Sequence, residues 1–264
     1  MIDLKNKHFF ITGISNKKSV AYATAKGLKE WGSKLSFSVQ NENQKNFVEK
    51  EFPNEKLFLL DVGSTGSVEN FSKQIITLPK IDGLLHSLAY ANFQNPVPFH
   101  ETSWENFQEA TRISAFSLVE VARIFKDHFQ PNASVVTVSI SNTRATAYGY
   151  LGPIKSMLNS LVDYLAKSFS LMNVEGSKVR FNAVAAGPLK TSASAGIPNY
   201  IEHYLYSEAL TLRKKNLTTE EVSNTITFLL SSMSSGINAQ VLTVDAGMGA
   251  NYFDEDVVKK FSKG

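Results

Sequence analysis

A single doubly wound α/β domain, a seven-stranded parallel sheet flanked by helices, is the fold class this sequence predicts, on three observations. Seven short apolar runs alternate with segments of helical period along 264 residues. The runs are continuous rather than alternating in polarity, as parallel strands buried on both faces require. The first run stops at a glycine and opens straight into a helical segment, an arrangement that points a helix N-terminus at a bound phosphate.

Composition sets the outer bounds. Hydrophobic residues make up 43% of the chain, ample for one sizeable core. The net charge is only +3 and the lysines are scattered, so no basic footprint for nucleic acid is present. There is no cysteine, which excludes disulfides, thiolate nucleophiles and zinc–sulfur sites. The stretch from Met1 to His8 mixes acid and base before a short apolar run, unlike a signal peptide. No apolar run approaches the ~18 residues of a membrane span. The expectation is a cytoplasmic protein with one domain over 1–250, a lid over about 192–216 and a charged tail, helical or frayed, over 251–264.

His8–Thr12 reads as the first strand, Gly13 as the turn, and Ser19 as the N-cap of a helix running to Glu30. Strand, glycine turn and helix open a Rossmann-type dinucleotide-binding unit. Only Gly13 precedes the helix, so the pattern is Gly13-Ile14, four residues, Val20-Ala21, not the three-glycine fingerprint. Lys34–Val39 is the second strand and ends at Gln40-Asn41, the place that lies beside an adenosine ribose. Gln40 can bond ribose hydroxyls and offers a 2′-phosphate nothing, which predicts NADH in preference to NADPH; Lys45 is near enough to argue against it. Lys56–Leu60 is the third run, followed by Asp61-Val62 and a helix over Thr65–Ile76. Gly83–Ser87 is the fourth, followed by small residues as far as Ala91 that let backbone approach a cofactor. His86 reads as a strand histidine bonded to its surroundings. His100 and His203 stand alone, and no spacing suits a metal.

Trp104–Arg123 has Phe107, Ile113, Phe116, Val119 and Val121 at the spacing of one long buried helix, and Ser134–Val138 is the fifth strand. Tyr148 and Lys155 follow, seven positions apart. On one helix that is almost two turns, so both side chains would share a face. A phenol over a reacting carbonyl, with an ammonium nearby to favour the phenolate, suits proton chemistry. Pro153 is comfortable only in a first turn, so the helix can instead start near Gly152 and leave Tyr148 in the preceding turn. From Pro153 to Phe169 apolar residues occupy more than one face, which predicts a partner helix and a homo-oligomer, a tetramer. Val179–Val184 and Gln240–Asp245 are the sixth and seventh strands, with a helix over Thr219–Ser231 between them. Tyr200, Tyr204 and Tyr206 in the 192–216 segment suit a mobile lid over an apolar substrate, or a subunit contact or plain packing.

Seven stretches in order now stand out: Gly13 with Ser19-Val20-Ala21, Gln40-Asn41, Asp61-Val62, His86 to Ala91, Tyr148 with Lys155, Ala186 to Thr191, and Val244 to Gly247. Together they resemble the short-chain dehydrogenase/reductases, and within them the type I bacterial enoyl-acyl carrier protein reductases, over about residues 2–250. The resemblance implies that Gly13, Ser19, Val20 and Gln40 line the pyrophosphate and adenosine, that Asp61 and Val62 hold the adenine, and that Leu88 borders the nicotinamide ribose. It implies that Lys155 bonds the ribose hydroxyls, that Leu189 and Thr191 fix the nicotinamide and its phosphate side, and that Ala91 borders an acyl thioester. The implied reaction is hydride transfer from NADH to a trans-2-enoyl thioester carried on acyl carrier protein, with Tyr148 stabilising the enolate oxygen.

The chain departs from that family in three ways. A second tyrosine usually stands ten residues before the catalytic one; here Ile140 takes its place on a loop about two residues shorter. Pro153 falls inside the motif, and Ala23, Ala89 and Ala246 replace frequent glycines. Ile140 is therefore expected to line the substrate site, with Tyr150 the alternative occupant. Two other readings stay open: a ketone or alcohol dehydrogenase using Ser139 or Ser141 beside the tyrosine, and a nucleotide-binding paralogue with reduced catalysis.

Overall fold

The computed structural model describes residues 3–172, 178–192 and 194–262. Met1 and Ile2, Ala193 of the lid segment and the last two residues of the tail therefore lie outside the described residues. The strands are β1 (His8–Thr12), β2 (Lys34–Val39), β3 (Lys56–Leu59), β4 (Ile81–His86), β5 (Phe129–Ile140), β6 (Arg180–Ala186) and β7 (Gln240–Val244). They form one seven-stranded sheet in the order β3-β2-β1-β4-β5-β6-β7, with every pairing parallel. The order turns back on itself between β1 and β4, so the crevice of a doubly wound sheet opens above their carboxyl ends. The fifth strand starts earlier than its apolar run because Phe129 already pairs with Ile81, before an irregularity resets the register to Gly83 opposite Ser134.

Alternation explains the continuous apolar runs. Phe9 and Ile11 pack into one hydrophobic layer while Phe10 packs into the other, all three fully buried. Helices α1 (Val20–Glu30), α2 (Glu42–Glu51) and α8 (Thr219–Leu230) supply Leu28, Val48 and Ile226 to the first layer. Helices α3 (Thr65–Gln74), α5 (Ser117–Phe125) and α6 (Leu151–Ser170) supply Phe71, Leu118 and Leu158 to the second. Helix α2 has no apolar stripe, because Val48 is its one buried residue, so periodicity does not show it. Its mark in the sequence is Asn41, whose side chain accepts from the Gln44 amide as an N-cap.

One expectation is corrected and one open alternative is decided. Trp104–Arg123 is not one helix: α4 (Trp104–Thr111) passes through a π-helical turn, Arg112–Phe116, before α5 begins. Tyr148 and Lys155 do not share a helical face either. Tyr148 ends a 3-10 turn (Thr146–Tyr148), and α6 starts at Leu151 with Pro153 as its third residue, where no intrahelical amide is lost. Gly149 makes the break with φ +53° and ψ −140°, a conformation glycine adopts without a side-chain clash. The apolar excess on α6 also narrows. Ile154, Leu158, Val162, Leu165 and Phe169 face the core, while Met157 and Leu161 are half-buried against it. Beyond β6 come a 3-10 turn (Ser194–Gly196) and α7 (Tyr200–Leu210), and the tail forms α9 (Glu255–Phe261).

Candidate active site

The carboxyl ends of β1, β2, β4, β5 and β6 open into one cavity of about 710 Å³. Every site residue expected from the sequence lines it: Gly13, Ser19, Val20, Gln40, Asp61, Val62, Leu88, Ala91, Ile140, Tyr148, Lys155, Leu189 and Thr191. At one end the chain leaves β1 through Gly13, whose φ is +82°. A Cβ there would stand 1.9 Å from the Ser87 carbonyl oxygen, so the exits of β1 and β4 can meet only across a glycine. Ser19 caps α1 by accepting from the Tyr22 amide at 3.1 Å, which leaves other first-turn amides free for an anion. Gln40 is exposed at the end of β2, its amide bonded to the Gln44 side chain at 2.9 Å. Lys45 is outside the cavity lining and pairs with Glu42 at 3.2 Å. Asp61 folds back to accept from the Gly63 amide at 2.9 Å, and the Val62 carbonyl accepts from Arg112 at 2.9 Å.

At the other end Lys155 is almost fully buried, 3% exposed. Its ammonium donates to the carbonyls of Val138 at 3.0 Å, Leu88 at 3.3 Å and Ser114 at 3.5 Å, with no carboxylate among these partners. Burial pulls its pKa down to about 8. Among the described residues Lys155 is the one lysine or arginine lining the cavity. Burial, with Tyr200 close by, pushes the Tyr148 hydroxyl well above the usual phenol range. That corrects the expectation of a favoured phenolate: Tyr148 presents a protonated hydroxyl, a donor. His86 is fully buried between Thr137 at 2.9 Å and Ser117 at 2.8 Å, and burial together with Lys155 pulls its pKa to about 3. It is a neutral structural histidine. Among the described residues no cluster of His, Cys, Asp or Glu could hold a metal ion.

Ile140 and Ala91 line the same cavity as Tyr148, and Tyr150 does not take the place of Ile140. Tyr150 is buried outside that lining, its hydroxyl donating to the Asn92 carbonyl at 2.9 Å and its ring against Phe93. Ser139, also in the lining, is 2% exposed and its hydroxyl has no partner among the described residues. Ser141 is absent from the lining.

Sequence reasoning missed two positioning serines. Ser114 in the π-helical turn brackets Tyr90, accepting from its amide at 2.7 Å and donating to its carbonyl at 2.8 Å, and so fixes the loop that carries Ala91. The small pair Ser114-Ala115 inside an apolar helical pattern was its one visible trace. Ser194 lies 3.0 Å from the Thr191 amide and 2.8 Å from the Leu189 carbonyl, closing the turn after β6. Nothing in its sequence context marked it.

Residues 13–249 match the family model described as enoyl-(acyl carrier protein) reductase. FabI of Staphylococcus aureus, an NADPH enoyl-acyl-carrier-protein reductase, is 33% identical over 259 residues, covering 95% of this chain and 99% of that one. The NADH enzyme of the same name from Escherichia coli is 31% identical over 265 residues, covering 96% and 97%. Among solved structures, FabI from Candidatus Liberibacter asiaticus superposes with a TM-score of 0.87 at 27% identity over 96% of this chain and 99% of that one. The NADH enoyl-acyl-carrier-protein reductase of Aquifex aeolicus superposes with 0.86 at 29% over 93% and 97%. The match runs from the Gly13 turn to beyond β7 and takes in the whole cavity, and on that ground the chain belongs to the enoyl-acyl carrier protein reductase family.

Proposed function

We propose that this protein reduces trans-2-enoyl thioesters carried on acyl carrier protein, using NADH, as a step of fatty-acid synthesis. The observation that carries the reading is the single cavity joining a nucleotide-type half, Gly13 to Val62, with a buried ammonium and a protonated phenol. The residues suit a dinucleotide. Gly13 lets the exits of β1 and β4 meet at the cavity, Ser19 opens a helix N-terminus there, and Asp61 and Gln40 offer polar groups to an adenosine. NADH, once bound, supplies a hydride.

The remaining work falls to side chains of this chain. As hydride adds to the β-carbon of the substrate, electron density moves onto the thioester oxygen, and the enolate then takes a proton from solvent water at the α-carbon. The Tyr148 hydroxyl donates to that oxygen, where preorganised donors lower the barrier most. Lys155 would hold the ribose hydroxyls and supply a positive charge to them in a site shielded from water. Leu189 and Thr191 border the nicotinamide; Ala91 and Ile140 border the acyl thioester. NADH is preferred because Gln40 carries no charge and Lys45 is engaged by Glu42. The 192–216 segment acts as the lid, the location is the cytoplasm and the assembly is a homotetramer.

Ser139 favours one second reading. A buried hydroxyl without a partner in the cavity could face a ketone oxygen beside Tyr148, as a ketone or alcohol dehydrogenase needs. An NADH-oxidation assay with a trans-2-enoyl carrier-protein thioester, a 3-oxo thioester and a secondary alcohol with oxidised cofactor decides between them. Turnover of the enoyl substrate is expected. Preferred turnover of the 3-oxo thioester would assign the second reading, and binding of NADH without turnover of any substrate would mark a catalytically reduced paralogue. The same assay with NADPH tests the cofactor; an equal or better specificity constant would reject the preference and turn attention to Lys45.

A further inference from the structure

Helix α7 reaches the cavity through Tyr200, whose ring is buried. The Tyr200 hydroxyl accepts from the Leu189 amide at 2.9 Å and donates to the Leu189 carbonyl at 2.9 Å. One phenol thus meets the donor and the acceptor of a single residue. The carbonyl is also met by the Ser194 hydroxyl at 2.8 Å and the Thr191 amide at 3.0 Å, whereas the phenol is the partner of the amide, which could not be left bare without cost. A donor and an acceptor offered side by side are also the complement of a primary amide, which carries an N–H and a C=O on one carbon. Nicotinamide ends in such an amide, and Leu189 lines the same cavity as Tyr148 and Lys155.

We propose that Tyr200 is a built-in stand-in for the nicotinamide carboxamide, holding the root of α7 on the Leu189 backbone until a dinucleotide displaces it. The proposal rests on the dinucleotide reading above. Displacement is easy at this end of α7. The N-cap residue Asn199 has φ +53° and its side chain makes no capping bond, so the helix start lacks the usual brace. Tyr200 and Ser207 are the residues α7 buries, while Ile201, Leu205 and Tyr206 face outward. Tyr200 is therefore the anchor at the N-terminal end. Burial raises its pKa, so the hydroxyl stays protonated and keeps both roles at working pH. It follows that nicotinamide binding and release of α7 are one event, and that the lid loosens over the substrate end only when the reducing end of the cofactor has arrived.

Calorimetric titration of the full chain with NADH and with ADP-ribose, which has the same adenosine and diphosphate but no nicotinamide, tests this in wild type and Tyr200→Phe. Phenylalanine leaves the Leu189 amide unpaired in the free protein, while the carbonyl keeps Ser194 and Thr191. NADH is therefore expected to bind roughly tenfold more tightly to the variant, the scale of one or two net hydrogen bonds, with ADP-ribose unchanged. Hydrogen exchange of wild type needs no variant: amides of residues 200–210 should exchange faster with NADH and not with ADP-ribose. An unchanged NADH to ADP-ribose affinity ratio in a folded variant overturns the stand-in while leaving the dinucleotide reading in place. So does selective weakening of NADH, which would make the hydroxyl a ligand, and so does unchanged or slowed exchange of α7 on NADH binding. Failure of both nucleotides to bind overturns the dinucleotide reading and this proposal with it.

Discussion

Tyr148 enters the cavity from a 3-10 turn as a phenol held protonated by burial, and Lys155 enters from α6 as an ammonium held by backbone carbonyls. The two should separate in kinetics. Tyr148→Phe removes a donor where charge develops, so kcat should fall by about 10²–10³ with NADH affinity nearly unchanged. Near-normal turnover would take Tyr148 out of the mechanism. Lys155 titrates near 8 when folded, against about 10.4 in an unfolded chain. Its folded pKa is the lower, so between those two values the unfolded chain binds more protons. The contribution of this group to stability therefore rises with pH over that window. With Lys155 proposed to hold the ribose, NADH affinity should move the other way, weakening as pH passes about 8 and the ammonium loses its charge. Equilibrium binding from neutral pH to about pH 10 checks it, and a flat profile would mean that the charge is not used.

The loop between β5 and α6 sets the character of the substrate end. Ile140, the last residue of β5, stands in the cavity wall where the loop begins, and the loop leaves Tyr150 tied to Asn92 outside the wall. Isoleucine offers a polar oxygen nothing and gains about 25 cal/mol for each Å² of hydrocarbon it covers. Long-chain enoyl thioesters should therefore be turned over in preference to crotonyl, and Ile140→Ala should flatten the preference. Equal handling of crotonyl and decenoyl substrates by wild type would remove Ile140 from the site. The central strands were legible because they bury both faces, leaving unbroken apolar runs such as His8–Thr12; the edge strands β3 and β7 keep apolar runs although they are only partly buried. Helix α2 was not, since one buried valine makes no period. The π-helical turn escaped because its residues keep the helical apolar pattern while the backbone hydrogen bonds shift by one. Gly13, Gln40 and Asp61 could be placed from the ends of their strands, whereas Ser114 and Ser194 act through backbone partners far off in sequence or within a turn. The position of Tyr148 depended on a single residue, Pro153, and both outcomes were open until the start of α6 was known.

At the scale of the molecule, the sheet ends on β7, whose outer edge leaves Val241 partly exposed, and Tyr164 of α6 is 74% exposed. An uncovered edge and an exposed aromatic on a helical layer favour pairing with further copies. Light scattering should report a homotetramer, and a monomer at micromolar concentration would refute it. No helix among the described residues is long and apolar enough to cross a membrane. The tail is joined to the segment after α7. Lys214 and Asn251 both bond the Asp254 carboxylate, hold it well below the usual carboxylate range, and let it cap α9. The three carbonyls around Lys155 come from the exit of β4, the π-helical turn and β5, so that ammonium sits where three separated segments converge. Every residue type has a carbonyl, so replacing the side chain at 88 or 138 leaves that cradle in place. A saturation scan should thus find those positions permissive among side chains of similar size, with intolerance concentrated in the one row at Lys155. The charge at the heart of the site can then persist while the sequence around it drifts.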